Sequence, residues 1–295
     1  MAHRWVRWLP WVFVLIWSTG FVVARYAMPH SPPLTFLSLR YAISVLCLGV
    51  WILLARAEWP REPRQWMHLA ASGALMHAGY LGGVWSAVKL GIGAGTVSLL
   101  VGLQPVLTAI WLATRQRTHP TPLGVRQWWG LLLGLVGLVL VLGGKLDFGE
   151  ITASNLALAV LALLSITTGT LYQKRFVAPC DVRTANSVQL LAALVLSLPL
   201  ALLETEALQW HPHLLGALLW SVLVLTLGGS SLLYLLIQRG ESTRVTSLFY
   251  LVPPCTALMA WWLFGEAVTA TMLLGLVTTV TGVALVVNAP VAAPQ

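Results

Sequence analysis

The sequence predicts an all-α polytopic membrane protein with ten transmembrane helices, laid out as two inverted five-helix repeats. Three observations carry this. The 295-residue chain is 58% hydrophobic and 9% charged, with a mean hydropathy of +0.83, whereas soluble domains are about 25% charged. Ten apolar runs approach the roughly 20 residues needed to cross ~30 Å of hydrocarbon. An ungapped shift of 149 residues lays the first half of the chain over the second.

The runs are Leu9 to Ala27, Leu34 to Ala55, Trp66 to Val88, Gly95 to Ala113, Val125 to Gly143, Asn155 to Gln173, Ser187 to Leu203, Leu214 to Ile237, Val245 to Phe264 and Thr271 to Val287. Only short connections remain between them, which excludes catalysis in a large extramembrane domain. The N-terminus sets Arg4 and Arg7 before an apolar run as a signal peptide does, but no small-residue cleavage site follows, so it reads as the first retained helix.

The net charge of +8 is a topology signal. With the N-terminus inside, the cytoplasmic segments hold thirteen Lys and Arg and the outer loops two, Lys89 and Lys145. That is the positive-inside asymmetry of an inner-membrane, multi-pass chain with both termini cytoplasmic. Nucleic acid is not an expected partner; the lipid bilayer and a small-molecule solute are. Cys47, Cys180 and Cys255 have no metal-knuckle or disulfide spacing, and no cofactor or metal is expected.

Shifting residues 10–113 by 149 gives fifteen identities, among them Thr19/Thr168, Gly79/Gly228 and Pro105/Pro254, where composition alone gives roughly nine. After a four-residue contraction Gly130/Gly275 and Gly137/Gly282 also align. Five spans per half is an odd number, so residues 1–147 and 148–295 enter the membrane in opposite senses. The loops agree: RAEWPREPRQ is basic and its counterpart ETEALQWHPH has no Lys or Arg. Such inverted repeats build inward-open and outward-open states by rocking about a central site.

Two runs are interrupted at their centres, the fourth by Gln104-Pro105 and the ninth by Pro253-Pro254. Proline removes a backbone donor and clashes one turn back, so both spans are expected to kink there. Pro105, Pro253 and Pro254 are assigned to hinge and cavity shape. The cavity is expected among the first, third, fourth, sixth, eighth and ninth helices.

Its candidate residues follow. His77 is the one titratable group at a midplane, with Tyr80 a turn away; it either bonds between packed helices or meets solute or proton. Gln104 either satisfies carbonyls freed by Pro105 or contacts solute. Thr19 and Thr168, beside glycines, either back-bond to their own helices or face the cavity. Arg40, about six residues into the second helix, either snorkels outward or clamps a carboxylate. Tyr250 and Trp17 are aromatic candidates with packing as the alternative. All nine Asp and Glu fall in loops or at helix ends, so a carboxylate-based ion-coupling site is not expected.

The fifth and tenth helices are rich in Leu, Val and Gly, with Gly130 and Gly134 four apart and Thr278 and Gly282 repeating the spacing. Small residues so placed allow close helix contact, as scaffold or as a homodimer through membrane helices. His211-Pro212-His213 with Glu204 and Glu206 is the one cluster resembling a metal or enzyme site; a solvated loop is the preferred reading.

Two stretches resemble a known family. Trp17 to Ser44, with its PPLTF segment and Leu39-Arg40 pair, is similar to the opening of EamA-type members of the drug/metabolite transporter superfamily. Val252 to Val287 resembles the family's closing pattern of proline, apolar run, Gly-Glu and a glycine-containing last helix. The resemblance implies a ten-helix inverted-repeat fold and export of small metabolites such as amino acids. Gln116-Arg117 stands where the first half would match Gly265-Glu266. Alternatives are a multidrug or lipid-carrier translocase and, from another class, a polytopic membrane enzyme.

Overall fold

The structure, a computed structural model, describes residues 9–115, 125–146, 150–238 and 251–287. The described residues are overwhelmingly helical and contain no strand. In order they form α1 (Leu9–Ala27), α2 (Pro33–Ala55), α3 (Pro63–Gly73), α4 (Tyr80–Lys89), α5 (Ala94–Val101), α6 (Gln104–Arg115), α7 (Val125–Leu146), α8 (Ala153–Phe176), α9 (Val182–Ala201), α10 (Pro212–Trp220), α11 (Ser231–Gln238), α12 (Val252–Phe264) and α13 (Ala270–Val287). Pro33–Ala55, Ala153–Phe176, Val182–Ala201 and Pro212–Tyr234 are long and apolar enough to cross a membrane, and shorter apolar helices accompany them. The chain is a multi-pass membrane protein.

Local chemistry sets the helix ends. Pro33, Pro63 and Pro212 each open a helix, where the missing N–H would lack a partner anyway. Thr152 and Asn155 form a reciprocal capping box on α8. Gly265 closes α12 in the left-handed region at φ 63°.

α3 and α4 are joined without a break by a π-helical turn, Ala74–Gly79, and α10 and α11 by another, Ser221–Ser230. Wide turns of this kind displace side chains around the helix and recur at functional sites. Adding 149 to 74–79 gives 223–228, inside the second π segment. The same shift carries Pro33 to Val182 and Pro63 to Pro212, each the first residue of its helix.

The proline-bearing spans differ from a simple mid-helix kink. α5 ends at Val101, Gly102 and Leu103 form a turn, and α6 restarts at Gln104 with Pro105 second. α12 begins at Val252, so Pro253 and Pro254 lie in its first turn. The prolines thus start helices, the position where they cost no hydrogen bond. Gly102 and Pro253 meet at these breaks: a Cβ at Gly102 would stand 2.7 Å from Pro253 Cγ.

α2 packs on α9, α4 on α8, α10 and its π turn on α1, and α12 on both α1 and α5. α7 and α13 form a pair of their own, backbone to backbone. A Cβ on Gly137 would meet Gly275 O at 2.5 Å, and one on Gly282 would meet Gly130 O at 2.5 Å. These small-residue faces are therefore spent on an intramolecular contact. Phe36, Tyr41 and Trp85 are the bulk of the core between α2 and α4, while Leu46, Val50, Leu53 and Leu54 of α2 point outward, as a lipid-facing stripe does.

Candidate functional site

A cavity of about 650 Å³, its mouth included, lies between α1, α2, the two π-interrupted rods, α8 and α9. The second and seventh spans, α2 and α9, thus join its wall, which corrects the expected set of lining helices.

Arg40 is the charged group in that wall among the described residues. α2 buries the face carrying Leu37, Arg40, Tyr41, Ser44 and Leu48, and this turns the guanidinium inward instead of letting it snorkel. Arg40 Nε donates to Thr226 Oγ1 at 3.1 Å, whose own proton goes to Ser221 O at 2.9 Å. Among the described residues, no Arg40 ion pair with a carboxylate is present.

His77 stands opposite, in the first π turn. The Tyr41 hydroxyl donates to His77 O at 2.9 Å, and the His77 side chain lies beside that of Gln189. Gln189 Nε2 donates to Gln173 Oε1 at 3.1 Å, which also accepts from Ser72 Oγ at 2.9 Å. With its amide nitrogen so engaged, Gln189 presents its oxygen to the imidazole. Adding 149 to 40 and 77 gives 189 and 226, so the Arg40–Thr226 and Gln189–His77 neighbours stand at positions related by the same shift.

Trp17, Phe21 and Tyr80 separate this cavity from a smaller one of about 280 Å³ and line both; the Tyr80 hydroxyl hydrogen-bonds the Trp17 side chain. Gln104 and Pro253 line the smaller compartment. Gln104 Nε2 donates to Thr170 Oγ1 at 3.0 Å, so its partner is a hydroxyl on α8. The structure thus brings Trp17, Arg40, His77 and Tyr80 together and sets Gln104 beyond the aromatic partition.

The other candidates lie elsewhere. Thr19 Oγ1 donates to Ile16 O at 2.6 Å and accepts from Trp220 Nε1 at 2.9 Å, which is the back-bonded alternative. Thr168 is exposed on α8 and faces away from the cavity, because Ser165, Ile166, Thr167 and Gly169 hold the buried face. Pro254 is half-buried, and Tyr250 is outside the described residues. Sequence reasoning missed Gln189, Gln173, Asn186 and Tyr234, which carry the wall to the last turn of α8, the first half of α9 and the first turn of α11. Applying the 149-residue shift to Arg40 and His77 would have pointed to Gln189 and Thr226.

The opposite face of the molecule is tied shut. Glu204 accepts from Leu34 N at 3.0 Å and Thr35 N at 2.7 Å at the start of α2. Lys89 pairs with Glu206 at 2.5 Å. Glu266 accepts from Ala94 N at 3.0 Å at the start of α5. Among the described residues, no carboxylate lines either compartment. The glutamates near His211 and His213 are thereby drawn into other contacts, while His30 moves in: its ring stacks on His211 at 4.1 Å between centroids. Partial burial, with His30 and His213 adding to it, holds the His211 imidazolium below the ordinary histidine range.

A model of the EamA-like transporter family matches residues 6–143 and again 153–288. The chain is similar to an "Uncharacterized transporter YvbV" of Bacillus subtilis, 28% identical over 279 residues that cover 92% of this chain and 88% of that one. It is also similar to a "Probable amino-acid metabolite efflux pump" of Salmonella typhimurium, 26% identical over 280 residues, 91% and 90% of the two chains. A solved crystal structure superposes with a TM-score of 0.68 over 94% of each chain at 20% identity, a likeness of fold alone.

Proposed function

Because this chain belongs to the EamA-like transporter family and is a membrane transporter, we propose that it exports small carboxylate-bearing metabolites, amino acids foremost, through the cavity around Arg40. The observation that carries this reading is a buried guanidinium in the cavity wall with no carboxylate partner among the described residues. A buried cation without a partner is expensive, and a solute carboxylate is the group that matches its planar fork. The π faces of Trp17 and Tyr80 suit an ammonium at the other end of the same solute, and the His77–Gln189 pair offers it polar contacts. A related chain's name as a probable amino-acid metabolite efflux pump agrees with this substrate class.

In this reading ten spans form two inverted repeats, residues 1–147 and 148–295, in the inner membrane with both termini cytoplasmic. Matching helix starts, paired π turns and the shift-related Arg40–Thr226 and Gln189–His77 neighbours support the repeat. Pro105, Pro253 and Pro254 act as hinges in the first turns of their helices. The described conformation has its outer face tied by Lys89–Glu206 and Glu204, with the cavity wall running toward the cytoplasmic ends of α8 and α9. With no carboxylate in the wall among the described residues, movement is downhill or exchange-driven.

The test is amino-acid counterflow in proteoliposomes bearing Arg40→Gln or Arg40→Lys. Arg40→Gln is expected to lower flux at least about tenfold, because a hydrogen bond to a charged group is worth about 1.5–3 kcal/mol. Arg40→Lys keeps a point charge without the fork and retains part of the flux. Unchanged flux in Arg40→Gln at equal incorporation contradicts the carboxylate clamp.

A further inference from the structure

Three histidines that are far apart in the chain converge at the tied face. His30 lies in the connection between α1 and α2; His211 and His213 flank Pro212 at the start of α10. One ring nitrogen from each lies within 4.8 Å of the other two. The His30 and His211 rings stack at 4.1 Å and 11°, and the His211 and His213 rings meet edge-on at 4.7 Å. The backbone holds the two segments in place, since Gln209 N donates to His30 O at 2.9 Å. His30 and His211 are half-buried and His213 is exposed; the His211 ring caps α10 by accepting from His213 N at 3.2 Å, and the His213 ring meets Tyr26 edge-on at 5.7 Å.

We propose that His30, His211 and His213 form a binding site for a divalent transition-metal ion of the zinc type. Three imidazoles with a fourth position open to water are a recurrent zinc donor set, and Zn–N bonds of about 2.0–2.1 Å put the nitrogens roughly 3.3 Å apart. Side-chain rotation of partly exposed rings closes the remaining gap. Imidazole donors favour zinc, copper and nickel over magnesium or calcium. Ligation through His211 Nδ1 exchanges its bond from His213 N for the metal, and that N–H turns to water at an exposed helix end.

The ion would staple the α1–α2 connection to the start of α10. These segments lie in the two matched stretches of the chain, 6–143 and 153–288, beside the Lys89–Glu206 pair. If this face must open for transport, a bound metal holds it closed. That consequence rests on the transporter reading above; the metal site itself does not.

Tag-free full-length protein in detergent is titrated with Zn2+ against a chromophoric chelator, and with Co2+ for the visible absorption of a tetrahedral site. One equivalent is expected to bind, with affinity at least about tenfold lower in His30→Ala and in His213→Ala, as loss of a metal contact implies. Thermal unfolding without metal checks that both variants fold, and His30→Gln serves where the alanine variant does not. Absence of stoichiometric binding in the natural sequence, or binding indifferent to His30, overturns the site. In proteoliposomes Zn2+ is expected to slow counterflow in the natural sequence and not in His30→Ala. Stoichiometric binding with unchanged counterflow keeps the site and overturns only its action on opening.

Discussion

Arg40 and Gln189 occupy corresponding positions of the two halves, and the difference between them gives the cavity its polarity. One carries a charge held by Thr226; the other carries an amide that joins His77 to Gln173 and Ser72. Gln189→Leu leaves a buried imidazole without its partner, a loss of about 1–3 kcal/mol, so counterflow should fall about tenfold with the protein still folded. Flux equal to that of the natural sequence would remove the amide network from the site. Trp17, Arg40, His77 and Tyr80 were legible in the sequence because polar or aromatic groups within long apolar runs are conspicuous. Gln173 and Asn186 were not, because they lie near helix ends, where polar residues are ordinary. Thr168 misled for another reason: it matches Thr19 in the repeat, yet the face of α8 that it shares is turned outward.

At the scale of helices, most boundaries followed from local chemistry, and the π turns did not. Nothing in the residues 74–79 or 221–230 announces a wide turn; tertiary contacts such as Tyr41 to His77 O sustain the first one. The prolines marked the breaks correctly but not their form, since a proline in a first turn and one in mid-helix look alike until the helix start is known. The glycine spacing in α7 and α13 did foretell close contact. Gly137→Ala should therefore destabilise the protein by about 1–3 kcal/mol through overpacking, because its Cβ would meet Gly275 O at 2.5 Å and Thr279 N at 2.6 Å. Thermal unfolding in detergent measures this. A Tm at or above that of the natural sequence would mean that the two helices separate freely.

At the scale of the whole molecule, composition and positive-inside charge established a multi-pass membrane protein before any contact was known. The cluster of His30 with His211 and His213 was beyond sequence reading, because loops of the two halves meet only in the folded chain. The central claim is that one cavity, sealed at one face and framed by two related halves, passes a zwitterionic solute across the membrane without a carboxylate-coupled ion. Counterflow of an amino acid in proteoliposomes with no imposed ion gradient tests it most directly. Labelled solute should accumulate against unlabelled solute loaded on the other side, and Arg40→Gln should lower that accumulation at least about tenfold. Flux that appears only when a proton gradient is imposed would contradict it.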